Sequence, residues 1–220
     1  MPPSLAPEII ERSSLINNAL ASTDIVPLSL PFNPVRLLCL GRLIKVKGFD
    51  LVLEALATLK NSFPQLRLMI AGDGVERHDL ESRLTALGIK EMVEFVGWVS
   101  PDQIRSLINT ATAVIIPSRW EEPFGLVALE AAQMARPVIA ARVGGLPEVV
   151  IDKETGLLFD KEDSAGLAGA IKFLLEHPQT ATKMGTSARN RVQHFFSWEK
   201  LIDSYDALYK KLILRGSCAG

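Results

Sequence analysis

The sequence predicts an α/β fold with a single Rossmann-like domain, in which about six mostly parallel strands carry helices on both faces and further helices follow at the C-terminus. Three observations support this prediction. Short apolar runs alternate with segments of helical spacing, the joins between them are short, and 48% of the residues are hydrophobic. Strands and helices that alternate with short connections form a parallel sheet covered on both faces.

The predicted strands are short apolar runs bounded by glycine, proline or polar residues. They cover residues 35–40, 66–71, 93–96, 113–116, 137–140 and 156–159. The first is an apolar run closed by Gly41, which is typical of a strand buried on both faces.

The predicted helices are segments whose apolar residues recur every three or four positions. They cover residues 49–60, 79–87, 101–109, 125–135, 163–176, 179–193 and 198–214. Ser100 is the N-cap and Pro101 the first residue of the third helix, and Gly88 is the C-cap of the second. The last helix carries a sustained apolar stripe that begins at Trp198, which we expect to pack on a sheet or on a neighbouring domain.

Proline and glycine usage indicates where the domain begins. Six of the 13 prolines lie in residues 1–34, and the first glycine is Gly41. Proline-rich sequence without glycine tends to be extended and semi-rigid. We therefore predict an interdomain linker or N-terminal extension at 1–34, one domain at 35–214 and a short tail at 215–220.

The charge balance argues against two classes of partner. The 24 Lys and Arg residues and the 25 Asp and Glu residues give a formal net charge of −1. Neither nucleic acid nor a membrane surface would find a basic face to bind. No apolar run reaches the roughly 18 residues of a membrane span, and the N-terminus does not resemble a signal peptide. These features favour a cytoplasmic location.

Disulfide and metal chemistry are not indicated. Cys39 lies in an apolar run and is predicted to be a buried thiol, whereas Cys218 lies in the tail, so we expect no disulfide framework. The sequence has no Asp-x-Asp triplet and no Cys/His cluster with zinc spacing. Neither a metal ion nor a cofactor is predicted.

The loop after the first strand carries two cations at the edge where such folds bind ligands, beyond the carboxyl ends of the strands. This loop, residues 41–48, lacks the closely spaced glycines of a dinucleotide loop and is not a P-loop. The planar fork of Arg42 and the point charge of Lys47 could bind a diphosphate there. Ordinary solvated surface charges are the alternative interpretation.

The loop after the fourth strand, residues 117–125, precedes a helix of unusual composition. That helix is apolar on nearly every side, so it is predicted to be buried, and its only charged residue is Glu130. Free N–H groups at the helix start near Gly125 would form an anion site. Glu130 lies about 7–8 Å further along the helix, which roughly matches the step from a phosphate to the ribose hydroxyls of a nucleotide.

Two carboxylates therefore flank a predicted phosphate site. Glu130 could accept hydrogen bonds from ribose hydroxyls, or it could be a structural residue paired with an arginine or with backbone donors, because an unpaired buried carboxylate is costly. Glu122 precedes the helix and could accept hydrogen bonds from a sugar on the terminal phosphate. It could also be an ordinary exposed loop residue.

The stretch from Glu122 to Glu130 resembles the E-x7-E motif of retaining nucleotide-sugar glycosyltransferases of the GT4 type, which have a two-domain GT-B fold. Further matches follow in order between about residues 35 and 214. They are Gly41-Arg42-Leu43 with Lys47-Gly48, Ala71-Gly72-Asp73-Gly74, Phe95-Val96-Gly97, Pro117-Ser118, Glu122-Pro123-Phe124-Gly125-Leu126, Glu130-Ala131, Pro137-Val138, Gly144-Gly145 with Glu148, Gly156-Leu157-Leu158 and Phe196-Ser197-Trp198. Such an ordered set is far more specific than one motif.

The resemblance implies one half of a GT-B fold, the donor-binding domain, and a role for each matched residue. Arg42 and Lys47 match the cations that bind the diphosphate. Glu130 matches the carboxylate that binds ribose, and Glu122 matches the one that binds the donor sugar. The other donor-binding positions are Val99, Ser118, Phe124, Gly125 and Leu126, with Trp98 beside Val99 at the base-reading edge. Glu122, Arg42 and Lys47 are the residues implied to act in catalysis, where the two cations neutralise the leaving diphosphate.

The resemblance covers only a C-terminal domain. An intact enzyme of this type also has an N-terminal acceptor domain of similar size, so the chain by itself is expected to be an inactive part of a hexosyltransferase. Any peripheral membrane contact would come only through that missing domain. Residues 15–20 resemble the interdomain strand, with Ala19 where glycine is frequent. UDP-glucose is the favoured donor because of its prevalence in the family.

Two other functions stay open. A nucleotide-sugar 2-epimerase would have the same fold and could use both carboxylates, although Phe124-Gly125-Leu126 fits transferases better. A non-catalytic nucleotide-binding or scaffolding module is the third possibility. Detection of an epimerised donor would favour the first of these alternatives.

Overall fold

The structure, a computed structural model, describes residues 13–217, with side chains as far as Leu214. The predicted extension at 1–34 and tail at 215–220 therefore lie only partly within it, and Cys218 lies outside the described residues. From residue 13 to residue 35 the chain contains no helix or strand. It forms a turn at residues 33–34 and isolated bridges, one of them between Leu20 and Ser197.

Within residues 13–217, six parallel strands form one sheet. The strands are β1 (Arg36–Leu40), β2 (Arg67–Ala71), β3 (Val93–Gly97), β4 (Ala113–Ile116), β5 (Val138–Ala141) and β6 (Gly156–Phe159). Their order is β3-β2-β1-β4-β5-β6, and all neighbouring pairs are parallel. The predicted Rossmann-like α/β layer is thus confirmed. Because the order reverses between β1 and β4, a crevice opens beyond the carboxyl ends of these two strands.

Eight α-helices occupy the described part of the chain. They are α1 (Phe49–Leu59), α2 (Arg77–Leu87), α3 (Pro101–Asn109), α4 (Leu126–Gln133), α5 (Leu146–Val149), α6 (Ser164–Glu176), α7 (Pro178–Phe195) and α8 (Trp198–Ser217). Seven of them lie in the predicted segments. The short α5 was not predicted, because a four-residue helix shows no hydrophobic period.

The helices form two packed groups. Helix α1 packs against α2 and α6, and helix α4 packs against α3 and α7. Strand β1 lies in the core between them, with Leu37, Leu38 and Cys39 buried. Burial raises the pKa of the Cys39 thiol, so the group stays protonated and unreactive at neutral pH. The predicted buried thiol is confirmed.

A buried arginine fastens the segment before β1 to the domain. Arg136 is fully buried and donates hydrogen bonds to the Leu28 carbonyl at 2.8 Å and to Asn109 Oδ1 at 2.9 Å. Asn109 also accepts from the Leu28 N–H at 2.9 Å and donates to the Val26 carbonyl at 2.9 Å. Burial lowers the pKa of Arg136 to about 10. The chain around Val26–Leu28 therefore follows the surface of this domain through polar contacts that the sequence did not reveal.

Helix α8 has a largely exposed apolar stripe. Of the two alternatives predicted for its apolar stripe, packing on this domain's sheet is not found for six exposed side chains, and packing on a neighbouring domain stays a prediction. The exposed large side chains of the stripe are Trp198, Ile202, Tyr205, Tyr209, Leu212 and Ile213. Among residues 13–217, no helix combines the length and the apolar character that a membrane span requires.

Candidate functional site

A cleft lies at the switch point of the sheet and consists of two adjoining cavities. The first, of about 300 Å³, is lined by residues from the loops that follow β1 and β4, and we call it the β4 compartment. The second, of about 350 Å³, is lined by residues that follow β1, β2 and β3, and we call it the β3 compartment. Leu40 and Val127 line both cavities, so the two compartments adjoin.

Every residue predicted for the site lines this cleft. The β4 compartment is lined by Lys47, Ser118, Glu122, Phe124, Gly125 and Leu126. The β3 compartment is lined by Arg42, Val99 and Glu130, with Trp98 beside them. Arg42 and Lys47, predicted to bind one diphosphate together, thus lie in adjoining compartments rather than in a single one. Their roles in binding stay predictions.

Two hydrogen-bond donors contact the same carboxylate oxygen of Glu122. Lys47 Nζ donates to Glu122 Oε1 in an ion pair, and Ser118 Oγ donates to the same oxygen at 2.9 Å. The Glu122 side chain is only 14% exposed. Among the described residues, no hydrogen bond reaches the second oxygen, Oε2. The alternative of an ordinary exposed loop residue is therefore wrong, because the carboxylate is shielded, oriented and left with one oxygen to accept from a ligand.

The glycine pair after β5 fixes the backbone of Glu122. The Gly145 N–H donates to the Glu122 carbonyl at 2.7 Å, and the Gly144 N–H donates to Glu121 Oε2 at 2.7 Å. Gly144 has a φ of +51°, and a Cβ there would lie 2.2 Å from the Glu122 carbonyl oxygen. No larger residue allows this close approach. The sequence signals the pair only by its two adjacent glycines.

The turn before α4 presents a helix N-terminus to the β4 compartment. Gly125 adopts a φ of +99° and no side chain caps the helix start, which leaves N–H groups of the first turn for a ligand. The buried ring of Phe124 packs edge-on against Phe196 at a centroid distance of 5.6 Å. This contact anchors the turn, so the helix start has a fixed position beside Glu122.

The sequence predicted that helix α4 is buried, but the structure leaves one side of the helix partly exposed. Leu126 is 49% exposed, and Val127 and Glu130 are partly exposed. These three residues face the cleft, whereas Ala128 and Leu129 are buried in the core. The apolar composition of the helix therefore has two causes, since one side packs inward and the other forms the wall of a cavity.

Glu130 has no partner within the described chain. No hydrogen bond or ion pair to its carboxylate is formed by any residue of 13–217, and the nearby Arg105 donates instead to Gln133 Oε1 at 3.1 Å. The structural alternative, in which an arginine or a backbone donor satisfies Glu130, is therefore not what the structure shows. Partial burial raises the pKa of Glu130, and the charge of Arg105 opposes this only in part. Such a carboxylate is a partly desolvated acceptor, suited to the hydroxyl groups of a ligand.

The β3 compartment combines a cation, a carboxylate and an aromatic ring. Arg42 is exposed, and no described residue pairs with its guanidinium. Trp98 is 74% exposed although it lines the cavity. A free guanidinium, a free carboxylate and an exposed indole can bind a phosphate, hydroxyl groups and a planar ring, respectively.

Asn18 is a polar residue of the cleft that the sequence analysis did not assign to the site. Asn18 lines the β4 compartment together with Lys47 and Glu122. It belongs to the segment before β1, and nothing in the sequence indicates that this segment returns to the sheet edge. Among the described residues, no cluster of three His, Cys, Asp or Glu side chains could hold a metal ion.

Comparison with known proteins gives a family match over most of the chain. The family model described as glycosyl transferases group 1 matches residues 23–191. Glycogen synthase from Mycobacterium tuberculosis (strain CDC 1551 / Oshkosh) is 35% identical over 176 residues, which are 80% of this chain and 42% of that protein. The chain thus spans less than half the length of this curated relative.

Two solved structures share the fold together with part of the sequence. Sucrose-phosphate synthase from Thermosynechococcus elongatus is 32% identical with a TM-score of 0.83, and the match covers 92% of this chain and 53% of that one. Anabaena Alr3699/HepE in complex with UDP-glucose is 26% identical with a TM-score of 0.73, over 82% of this chain and 49% of that one. In both cases about half of the known structure is matched.

Proposed function

This chain belongs to the family of glycosyl transferases group 1, and from that premise we propose that it is the donor-binding domain of a retaining hexosyltransferase. The intact enzyme transfers a hexose from a nucleoside-diphosphate sugar, with UDP-glucose favoured, to a carbohydrate or lipid-linked acceptor. The observation that carries the proposal is the two-compartment cleft, with an oriented carboxylate at one end and an unpaired carboxylate at the other.

The two compartments suit the two halves of a nucleotide sugar. The base and ribose occupy the β3 compartment, where Trp98 and Val99 line the wall and Glu130 accepts hydrogen bonds from the ribose hydroxyls. The hexose occupies the β4 compartment, where Glu122 Oε2 accepts from a sugar hydroxyl. The diphosphate lies between them, near Leu40 and Val127, within reach of both cations.

The chain's own groups supply the charge that the reaction needs, so the proposal includes no metal ion and no cofactor. Transfer of the hexose leaves negative charge on the distal phosphate. In this proposal, Arg42, Lys47 and the uncapped N-terminus of α4, all at the cleft, stabilise that charge. Glu122 places the sugar and keeps Lys47 oriented toward the diphosphate.

The structures that resemble this chain give independent support for the donor class. Anabaena Alr3699/HepE was crystallised with UDP-glucose, and its match covers 82% of this chain. The shared fold and the 26% sequence identity support the same class of donor for this chain. UDP-glucose is the ligand of the Anabaena protein. That this chain binds the same ligand is part of the proposal.

The acceptor site lies outside this domain in the proposal. The chain spans about half of its relatives' length, and an N-terminal domain of similar size supplies the acceptor site and any membrane contact. The exposed stripe of α8 has the apolar character of a surface that such a domain would cover. The 220-residue chain alone therefore binds the donor in the cytoplasm but transfers little or no sugar.

Calorimetry on the 220-residue chain tests the donor-binding function. UDP-glucose, ADP-glucose and GDP-mannose are titrated separately, with UDP and free glucose as partial ligands. We expect binding of at least one nucleotide sugar and no binding of free glucose at the same concentrations. The variant Glu94→Ala, an exposed residue of β3 remote from the cleft, is the matched control and retains wild-type affinity. Absence of binding to all three nucleotide sugars would overturn the proposal.

A further inference from the structure

We propose that Arg119, through its pair with Asp50, is a positioning residue. It holds the loops that carry Lys47 and Glu122 at a fixed spacing, so that these two side chains stay paired in the β4 compartment. The inference rests on the proposed donor-binding function and adds a residue that lies outside the lining of either compartment. Arg119 directly follows Ser118 in the loop after β4, and its side chain points back to the loop after β1.

The backbones of the two loops are joined directly beneath Lys47. Lys47 ends a one-turn 3-10 helix, Lys45–Lys47. The central carbonyl of this turn, that of Val46, accepts hydrogen bonds from the Arg119 N–H at 2.7 Å and from the Trp120 N–H at 3.2 Å. A Cβ at Gly48 would lie 2.0 Å from the Pro117 carbonyl oxygen. The two loops are therefore in closest contact at the residues that flank the Lys47–Glu122 pair.

The Arg119 side chain strengthens this junction with a forked set of contacts. Its NH1 group donates to the Lys45 carbonyl at 3.1 Å and to Asp50 Oδ1 at 2.6 Å, while NH2 donates to Asp50 Oδ2 at 3.1 Å. The two side chains are only 16% and 18% exposed. A planar guanidinium can bridge a carbonyl and both carboxylate oxygens at once, which a lysine ammonium on a flexible stem cannot do with the same geometry.

The electrostatic setting keeps Asp50 charged and oriented. Partial burial raises the pKa of Asp50, but hydrogen bonds and charges from Arg119 and then Arg83 outweigh it and hold the pKa below its ordinary value. Asp50 also lies in the first turn of α1, where a carboxylate is favoured by the helix dipole. Arg119 is thus tied to a rigid helix, and the helix is tied to the turn that carries Lys47.

The geometry connects Arg119 to the cleft rather than to the core. Lys47 follows the Lys45 carbonyl by two residues, and Glu122 follows Arg119 by three. Loss of the Arg119 guanidinium frees the Lys45–Lys47 turn and the loop after β4 relative to each other. The Lys47–Glu122 pair then loses its fixed spacing, whereas the buried side chains of β1 and β4 are untouched.

The experiment compares Arg119→Ala and Arg119→Lys with the matched control Arg83→Ala in the 220-residue chain. Arg83 binds the same Asp50 at 2.9 Å and also Glu54 at 3.2 Å, but it does not reach the Lys45 carbonyl. Affinity for UDP-glucose is measured by calorimetry, and stability by urea unfolding. We expect both Arg119 variants to bind UDP-glucose about tenfold more weakly, and Arg83→Ala to change affinity less than about twofold.

A second set of variants, made in a chain that already lacks the Lys47 amine, distinguishes a positioning role of Arg119 from a general structural role. In a chain that already carries Lys47→Ala, the change Arg119→Ala should lower UDP-glucose affinity by less than about threefold, because its effect acts through Lys47. Equal losses in both backgrounds, or wild-type affinity in the Arg119 variants, would overturn the inference. If Arg119→Ala does not fold, Arg119→Lys and Asp50→Asn carry the same comparison. Failure of the wild-type chain to bind any nucleotide sugar would instead overturn the proposed function.

Discussion

The amine of Lys47 pairs with Oε1 of Glu122 across the point where the strand order of the sheet reverses. The two residues are 75 positions apart in the chain, and each lies in a loop at the carboxyl end of its strand. One oxygen of Glu122 is thereby engaged, and the other accepts no hydrogen bond from any described residue. In the proposed function, the pair supplies a positive charge for phosphate and an oriented acceptor for sugar hydroxyls within one cavity.

The first prediction concerns Glu122. In Glu122→Gln, the amide keeps the shape of the side chain but removes the charge that orients Lys47 and accepts from the sugar. Loss of one charge-assisted hydrogen bond costs about 1.5–3 kcal/mol, so UDP-glucose should bind at least about tenfold more weakly. UDP, which has no sugar at this position, should lose much less affinity. Calorimetry with both ligands measures the difference, with Glu94→Gln as control. Equal losses for UDP and UDP-glucose would contradict the sugar role.

The second prediction concerns nucleotide binding by Glu130. In Glu130→Gln, ribose hydroxyls lose an ionised acceptor, so UDP and UDP-glucose should weaken by the same factor. Since only the ionised carboxylate is the strong acceptor, wild-type affinity should fall as the pH drops through the raised pKa of Glu130. The variant should lack this pH dependence. Titrations between neutral and acidic pH measure it, and unchanged UDP affinity in the variant would refute the ribose role.

The third prediction uses the stability of the free chain to test the same residue. The pKa of Glu130 is raised in the folded state, so the folded chain binds the proton more tightly than the unfolded chain. The resulting stabilisation is present below the unfolded pKa and is lost as the pH rises through the folded pKa. At neutral pH the ionised, partly buried carboxylate is unfavourable, so Glu130→Gln should raise the melting temperature there. The gain should shrink in acid, and thermal unfolding at several pH values tests this.

The fourth prediction concerns Asp50, whose contribution to stability changes with pH in the opposite direction to that of Glu130. The pKa of Asp50 is lowered in the folded state, so its stabilisation is present above the unfolded pKa and is lost as the pH falls through the folded pKa. Asp50→Asn should therefore destabilise the chain at neutral pH and change it little at an acidic pH below the lowered pKa of the folded state. Urea unfolding at the two pH values measures this. The same destabilisation at both pH values would show that the charge is not the cause.

The fifth prediction compares two glycines. Gly144 has a φ of +51°, and a Cβ would lie 2.2 Å from the Glu122 carbonyl oxygen, so Gly144→Ala should destabilise the chain by about 2 kcal/mol or more. It should also weaken UDP-glucose binding, because Glu122 moves. Gly169 lies within α6, and apart from its chain neighbours and the backbone of its own helix no described atom lies within 4 Å of its Cβ position. Gly169→Ala should therefore stabilise the chain by about 0.5–1 kcal/mol. Chemical unfolding of both variants provides the measurement.

Local patterns were sufficient to predict most of the fold, and together with the family resemblance they identified the predicted residues of the cleft. The six strands and seven of the helices lie in the segments that hydrophobic period and turn residues indicated. The loops after β1 and β4 were identified because parallel strands deliver their carboxyl ends to one edge. These features depend on neighbouring residues in the chain, which is why they can be read from a single sequence.

Contacts between side chains that are far apart in the sequence could not be predicted from local patterns. The sequence assigned Glu122, Glu130 and Lys47 their positions, but only the folded chain pairs Lys47 with Glu122 and leaves Glu130 without a partner among the described residues. Folding also brings Asn18 to the cleft and the Arg119 side chain to Asp50. Such contacts join residues separated by tens of positions, and no local period encodes them.

The amino-acid sequence by itself determined the α/β class, the order of the elements and which loops would meet at the ligand edge, because alternation, helical spacing and turn residues act over short stretches. The tertiary structure decided which charges are neutralised and which are left for a ligand. A side chain's partner depends on the distance and desolvation that packing imposes. That packing pairs Glu122 with Lys47 and Ser118 and leaves the Glu130 carboxylate without a hydrogen bond among the described residues.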